Sequence, residues 1–135
     1  TQVLYDSHDI CRLLWHYNNS VEDNGTMPRR ILLSFAPIST KKNLEFLKWL
    51  GVEIPIETEE ELIQSEEGIK ERSIEICMRL LEEILSFVTE NKIKVPIGLN
   101  VEHIMTYNFD CSVELLQRMS KRYRSFCMGT DLYES

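Results

Sequence analysis

This sequence has no stretch of about 18 consecutive apolar residues, so nothing in it reads as a membrane-spanning helix. It has no excess of positive charge: 15 Lys and Arg stand against 22 Asp and Glu, a net charge of −7. That excludes the basic footprint a nucleic-acid binder needs. The one basic cluster, KRYR at 121–124, sits late in a helical pattern and reads as a solvated helix end. Cysteines are few and scattered. Cys11, Cys77, Cys111 and Cys127 form no CxxC pair, which fits buried free thiols in a reducing compartment. His8, His16 and His103 share no metal-binding spacing, so no metal site is expected. P-loop, GxGxxG, HExxH and nucleophile-elbow motifs are all missing. No catalytic residue is identified in this chain. The acids of ETEEELIQSEE form a contiguous solvated run rather than a paired acid and base.

What is present describes one globular unit. The 135 residues are 43% hydrophobic and 27% charged, ordinary for a single domain with a real core. TQVLYD (1–6) is short, β-rich and extended, and Ser7 is placed to cap the helix HDICRLLWHYNNS. The loop 22–28 carries Asn-Gly and Pro. RRILLSF (29–35) is a near-continuous apolar run, as in a strand buried on both faces. Ser39 or Thr40 can cap the next helix, whose stripe is Leu44, Leu47 and Leu50 and which Gly51 ends. Thr58 and Glu61 have capping-box spacing. Ile74, Cys77, Leu81, Ile84 and Val88 mark an amphipathic helix over about 71–90. IKVPIGLNV (93–101) is a third strand candidate, and Asp110 is placed to cap a last helix. Residues 128–135 read as a loose tail.

Alternating strands and helices imply α/β architecture with parallel strands. Three parallel strands cannot close a barrel. The choice is therefore a small open sheet or the last three βα units of a (β/α)8 TIM barrel with helices outside. The start at Thr1, straight into an apolar stretch, favours the barrel segment of a longer protein. Ligands in such folds sit beyond the carboxyl ends of the strands. Asp6–Ser7, Ser34–Thr40 and Asn100–His103 are the loops that qualify. Gln2 carries a donor and an acceptor that match a heterocyclic amide, or it is simply an exposed amide.

The order of these motifs resembles the methylenetetrahydrofolate reductase family. TQVLYD is similar to that family's TQ-aromatic-aromatic-aromatic-D strand. RILLSFAPIS, Phe46 with VEIP, and IGLN follow in the family's order over roughly residues 1–120. The resemblance implies a flavin-dependent oxidoreductase of one-carbon metabolism and methionine biosynthesis. It would hold FAD, use NAD(P)H, and reduce 5,10-methylenetetrahydrofolate to 5-methyltetrahydrofolate in the cytoplasm. It implies that Gln2 hydrogen-bonds the folate pterin, that Phe46 packs against substrate and that Leu99 lines the same site. Partners would be the folate, the rest of the barrel and a further copy in a homo-oligomer. Most flavin contacts and the catalytic acid would lie outside these 135 residues, so this piece alone is not expected to be active. Ser34 replaces a family glycine, and Ile97 and Val101 replace a tyrosine and an arginine around LN. The alternatives are a non-catalytic α/β partner-binding module or a different barrel oxidoreductase sharing only the scaffold.

Overall fold

The computed structural model describes residues 1–134, with the backbone alone for Thr106 and residues 130–134. Its elements are α1 (His8–Asn24), β1 (Ile31–Phe35), α2 (Lys41–Trp49), α3 (Ile56–Ile63), α4 (Ile69–Glu90), β2 (Ile97–Val101), a short 3-10 turn (Thr106–Asn108) and α5 (Phe109–Glu134).

β1 and β2 are parallel, with Ile31 opposite Ile97 and Phe35 opposite Val101. The apolar run predicted as a strand does form one, and Leu33 and Phe35 are fully buried. The second strand is shorter than its pattern. Pro96 stays outside it and gives its carbonyl to Ile31 N at 2.9 Å, because proline has no donor for a ladder.

The first extended segment does not become a strand. It touches β1 through a single bridge, Val3 to Ser34, with two main-chain bonds, Leu4 N to Ser34 O at 2.9 Å and Thr1 N to Leu32 O at 2.8 Å. Ser34 N also donates to Thr1 Oγ1 at 3.0 Å. Among the described residues there are five α-helices and two strands in one parallel sheet. This is a small α/β fold, and it overturns the expectation of the last three βα units of a (β/α)8 TIM barrel.

The core lies between the sheet and the helices. α4 is its centre: Ile74, Ile76, Cys77, Leu81, Ile84 and Leu85 are almost completely buried, and the helix packs against α1, α3 and α5. Leu14 of α1, Leu44 and Leu47 of α2, Leu62 of α3 and Leu115 and Met119 of α5 complete it. At about 25 cal/mol per Å2 of apolar surface, each of these side chains contributes roughly 1.5–3 kcal/mol on burial. No helix among the described residues is long and apolar enough to cross a membrane.

The caps show where local rules win and lose. Thr40 caps α2, its hydroxyl accepting Asn43 N at 3.1 Å. Ser7 precedes α1 but makes no capping bond and donates instead to Glu83 Oε2 at 2.6 Å. Asp6 Oδ1 takes His8 N at 3.0 Å in its place. Pro55, not Thr58, precedes α3, which therefore begins three residues earlier than the capping-box spacing implies. α5 begins at Phe109, with Asp110 inside its first turn, and its backbone stays helical through 128–134, where a loose tail is expected.

Candidate functional site

The carboxyl ends of β1 and β2 are tied together by side chains from distant parts of the chain. The β1–α2 loop, residues 36–40, is held from below by Tyr5 and Ser73. Tyr5 Oη donates to Ala36 O at 2.5 Å and lies 3.2 Å from Ser73 Oγ. Ser73 Oγ accepts Ile38 N at 2.7 Å. Both side chains are fully enclosed, and the Cys77 thiol points at the same phenol, 3.8 Å away. Burial pushes the Tyr5 phenol well above its ordinary value. It also pushes the Cys77 thiol up to about 12, and Cys111 nearby up to about 11. These are inert structural groups, since the reactive form of a cysteine is the thiolate.

The same loop is held from above by Asn108. Its Nδ2 donates to Asn43 Oδ1 at 2.5 Å and to Pro37 O at 3.3 Å, and its Oδ1 accepts Ser39 Oγ. Asn43 Oδ1 also accepts Ser39 N at 3.2 Å. Asn43 and Asn108 are both buried, so every polar atom in this knot has to find a partner inside the protein. Two loops at the strand ends are thereby fixed to each other.

The face of the sheet bearing Leu32, Ser34, Gly98 and Asn100 is more open. Leu32 is half exposed. Gly98 lies against it: a Cβ there would come within 2.7 Å of Leu32 Cδ2. Asn100 Nδ2 reaches Ser34 Oγ at 3.3 Å and Glu102 Oε1 at 3.5 Å, a short row of amide, hydroxyl and carboxylate at the strand ends. His103 stands beyond them, 3.4 Å from Ser112 Oγ and edge-on to Phe109.

The three residues expected to bind substrate are only partly brought together. Gln2 is exposed, and its Nε2 lies 3.5 Å from Gly51 O, at the turn that ends α2. Phe46 is one turn earlier on α2, half-buried, and stacks on Trp49 at 5.8 Å between ring centroids. Trp49 is 78% exposed. Leu99 lies elsewhere. It sits in β2 opposite Leu33 and packs against the core, with β1 between it and Gln2. Sequence reasoning missed Asn43, Ser73 and Asn108, which carry no motif. Their one signal is a polar type inside an amphipathic pattern.

A separate groove of about 800 Å3 runs between α1 and α4, lined by Ser7, Cys11, Trp15, Arg79, Glu83 and Phe87 among others. It lies in the helix layer, away from the sheet. Arg79 is engaged there by Glu61 at 2.8 Å. No group of three or more His, Cys, Asp or Glu able to hold a metal ion occurs among the described residues.

No family model matches this chain. No curated protein matches it either. Among solved structures it is similar to an uncharacterized protein from Clostridium thermocellum that binds two copies of 5-methyl-5,6,7,8-tetrahydrofolic acid, with 27% identity and a TM-score of 0.74. The match covers 88% of this chain and 41% of that one, so the chain spans about two fifths of that protein's length.

Proposed function

We propose that this chain is a reduced-folate-binding unit whose ligand is 5-methyltetrahydrofolate or a close relative. The observation that carries the proposal is the likeness to the Clostridium thermocellum protein over 88% of this chain. In this reading Gln2 offers its amide to the pterin edge, where a donor and an acceptor are needed side by side. Phe46, backed by Trp49, supplies the apolar surface for the rest of the ligand. Leu99 acts from the core side of β2, as support rather than contact.

The finer reading is a flavin-dependent reductase of 5,10-methylenetetrahydrofolate using NAD(P)H. It is favoured by the order of TQVLYD, Phe46 with VEIP, and IGLN alone. The residues of this chain do not by themselves fit FAD. A dinucleotide pyrophosphate asks for free cations or a glycine-rich helix start. The groove between α1 and α4 carries Arg12 and Arg79, but Glu82, Glu83 and Glu90 stand beside them, Arg79 is engaged by Glu61, and no glycine-rich helix start faces it. No step through a flavin is therefore derived from this chain.

Isothermal titration with 5-methyltetrahydrofolate tests the folate reading. Saturable binding in the micromolar range is expected. Absence of any heat or protection against thermal unfolding up to about 1 mM ligand, where binding would be worth only about 4 kcal/mol, overturns it.

A further inference from the structure

The sheet turns one face to the helices and leaves the other partly uncovered. Alternation along β1 sends Leu33 and Phe35 into the core and puts Leu32 and Ser34 on the opposite side. The register sets Gly98 beside Leu32 and Asn100 beside Ser34. Glu102 N donates to Phe35 O at 2.7 Å, which carries the parallel pairing one step past β2. Contacts between side chains establish the shared face: Asn100 Nδ2 lies 3.3 Å from Ser34 Oγ and 3.5 Å from Glu102 Oε1. A carboxylate only accepts, so Glu102 fixes how the Asn100 amide is turned, with its nitrogen toward Ser34 and Glu102 and its oxygen away from both. Among the described residues no donor reaches Asn100 Oδ1 or Glu102 Oε2. Asn100 is exposed and Glu102 half-buried. On the same face Leu32 is 49% exposed although it stands in mid-strand, packed on Gly98, where a Cβ would come within 2.7 Å of its Cδ2. Two adjacent acceptor groups therefore stand over an apolar floor at the carboxyl ends of the strands, where α/β folds take their ligands.

We infer that Asn100 and Glu102 read the donor edge of a 2-amino-4-oxopyrimidine ring, the edge a reduced pterin presents, at a second site on the open face of the sheet. The choice of a pterin rests on the folate reading above. That edge carries a ring N–H and an exocyclic amino group side by side. Both are donors, and the two oxygens of a carboxylate accept such a pair as they accept two N–H groups of a guanidinium. Asn100 Oδ1 takes the second hydrogen of the amino group, and Leu32 meets the face of the ring. Ser34 is a positioning residue: its buried hydroxyl holds the Asn100 nitrogen and so keeps the amide oxygen outward. A ring with lone pairs on that edge is rejected, because it would set them against the carboxylate. Gln2 takes no part here. Its amide goes to Gly51 O at the end of α2, and β1 stands between it and Asn100. Guanine presents the same pair of donors as a pterin, and titration tells the two sources apart.

The test is calorimetric titration of the whole chain and its Glu102→Gln, Asn100→Ala and Gln2→Ala variants with 5-methyltetrahydrofolate, tetrahydropterin, the tetrahydropterin analogue lacking the 2-amino group, and guanosine. All three side chains reach solvent, so the variants are expected to keep the parent melting temperature. The parent should prefer tetrahydropterin to the analogue by about tenfold, the scale of a charge-assisted hydrogen bond. Glu102→Gln should bind 5-methyltetrahydrofolate about tenfold more weakly at one site and lose that preference, and Asn100→Ala should weaken the same site about fivefold. Gln2→Ala should leave this site unchanged. If the parent binds 5-methyltetrahydrofolate and neither Glu102→Gln nor Asn100→Ala weakens it, the second site is wrong and the folate reading stands. Equal affinity of the parent for tetrahydropterin and its analogue also overturns the second site, and so does a single site weakened alike by Glu102→Gln and Gln2→Ala. Guanosine binding that Glu102→Gln abolishes, with no binding of either pterin compound, supports the edge and overturns the folate reading. If the parent binds none of the four, both fall.

Discussion

Tyr5, five residues from the amino end, donates its hydroxyl proton to the carbonyl of Ala36 at 2.5 Å, inside the core and beneath the loop that leaves β1. The bond joins the first extended segment to the loop at the candidate site, and Ser73 of α4 is the third corner of the arrangement. A phenol at this depth has no water to fall back on.

Tyr5→Phe removes that donor and keeps the ring. The Ala36 carbonyl is left without this partner in a dry environment, a loss of about 1–3 kcal/mol. Urea denaturation should show a lower midpoint with an unchanged slope. The amides of residues 36–40 should exchange faster with deuterium than those of α4.

Asn108→Ala should be more costly than its position on a loop suggests. It strips partners from Asn43 Oδ1, Ser39 Oγ and Pro37 O together. A destabilisation of about 2–3 kcal/mol is expected from stranding buried polar groups. Asn108→Asp should also destabilise, because a carboxylate cannot donate to Asn43 or Pro37. A melting temperature equal to the parent's in both variants would sink the idea that the two loops are fastened here.

Stability should fall in alkali. The buried Cys77 and Cys111 thiols have folded-state values near 12 and 11, against 9.0 for a free thiol. The unfolded chain therefore loses these protons first. Their contribution is fully present below about pH 9 and disappears as pH climbs toward 12, with Tyr5, also raised, acting in the same direction. Denaturation midpoints at pH 8 and pH 10.5 should differ in that sense, and Cys77→Ala should flatten the slope.

Gly98→Ala probes the open face of the sheet. The new Cβ would meet Leu32 Cδ2 at 2.7 Å, but that methyl is the mobile end of a half-exposed side chain. Leu32 can turn away, so a loss of only about 1 kcal/mol is expected. Gly98→Val, which adds branched bulk against Arg30 as well, should lose clearly more. Thermal melts of the two variants distinguish them.

Gln2→Ala addresses ligand binding without disturbing the fold. Gln2 is exposed, and its side chain bonds Gly51 O at 3.5 Å. The melting temperature should shift by less than a degree or two, in keeping with about 0.5 kcal/mol or less for an exposed site. Affinity for 5-methyltetrahydrofolate should drop about fivefold to tenfold, the scale of one hydrogen-bonding group. Unaltered affinity removes Gln2 from the site.

The apolar run 31–35, Leu44 and Leu47 of α2 and the Ile74–Val88 stripe were legible in the sequence because burial of contiguous or periodic apolar residues is a local pattern, whereas Leu50, expected in the same stripe, is 44% exposed at the end of α2. The Thr40 cap was legible for the same reason: its partner, Asn43 N, is three residues away. Ser7 obeys the same local rule, yet its hydroxyl goes to Glu83, 76 residues on. A helix cap competes with any tertiary acceptor that folding brings close, and the sequence does not say which acceptor that is.

Periodicity and composition by themselves determined the class of this protein: an acidic α/β unit of parallel strands and amphipathic helices. Tertiary structure alone decided how many strands pair, since the first extended segment meets β1 only by the Val3–Ser34 bridge and stays outside the two-stranded sheet. It alone decided that Gln2 reaches Gly51 at the end of α2 while Leu99 packs against the core. It alone joined Asn43 to Asn108 across 65 residues. The physical reason is the same each time. Apolar burial is specified by pattern along the chain, whereas a buried polar atom is satisfied by whichever partner the packed chain delivers, and that partner has no fixed spacing.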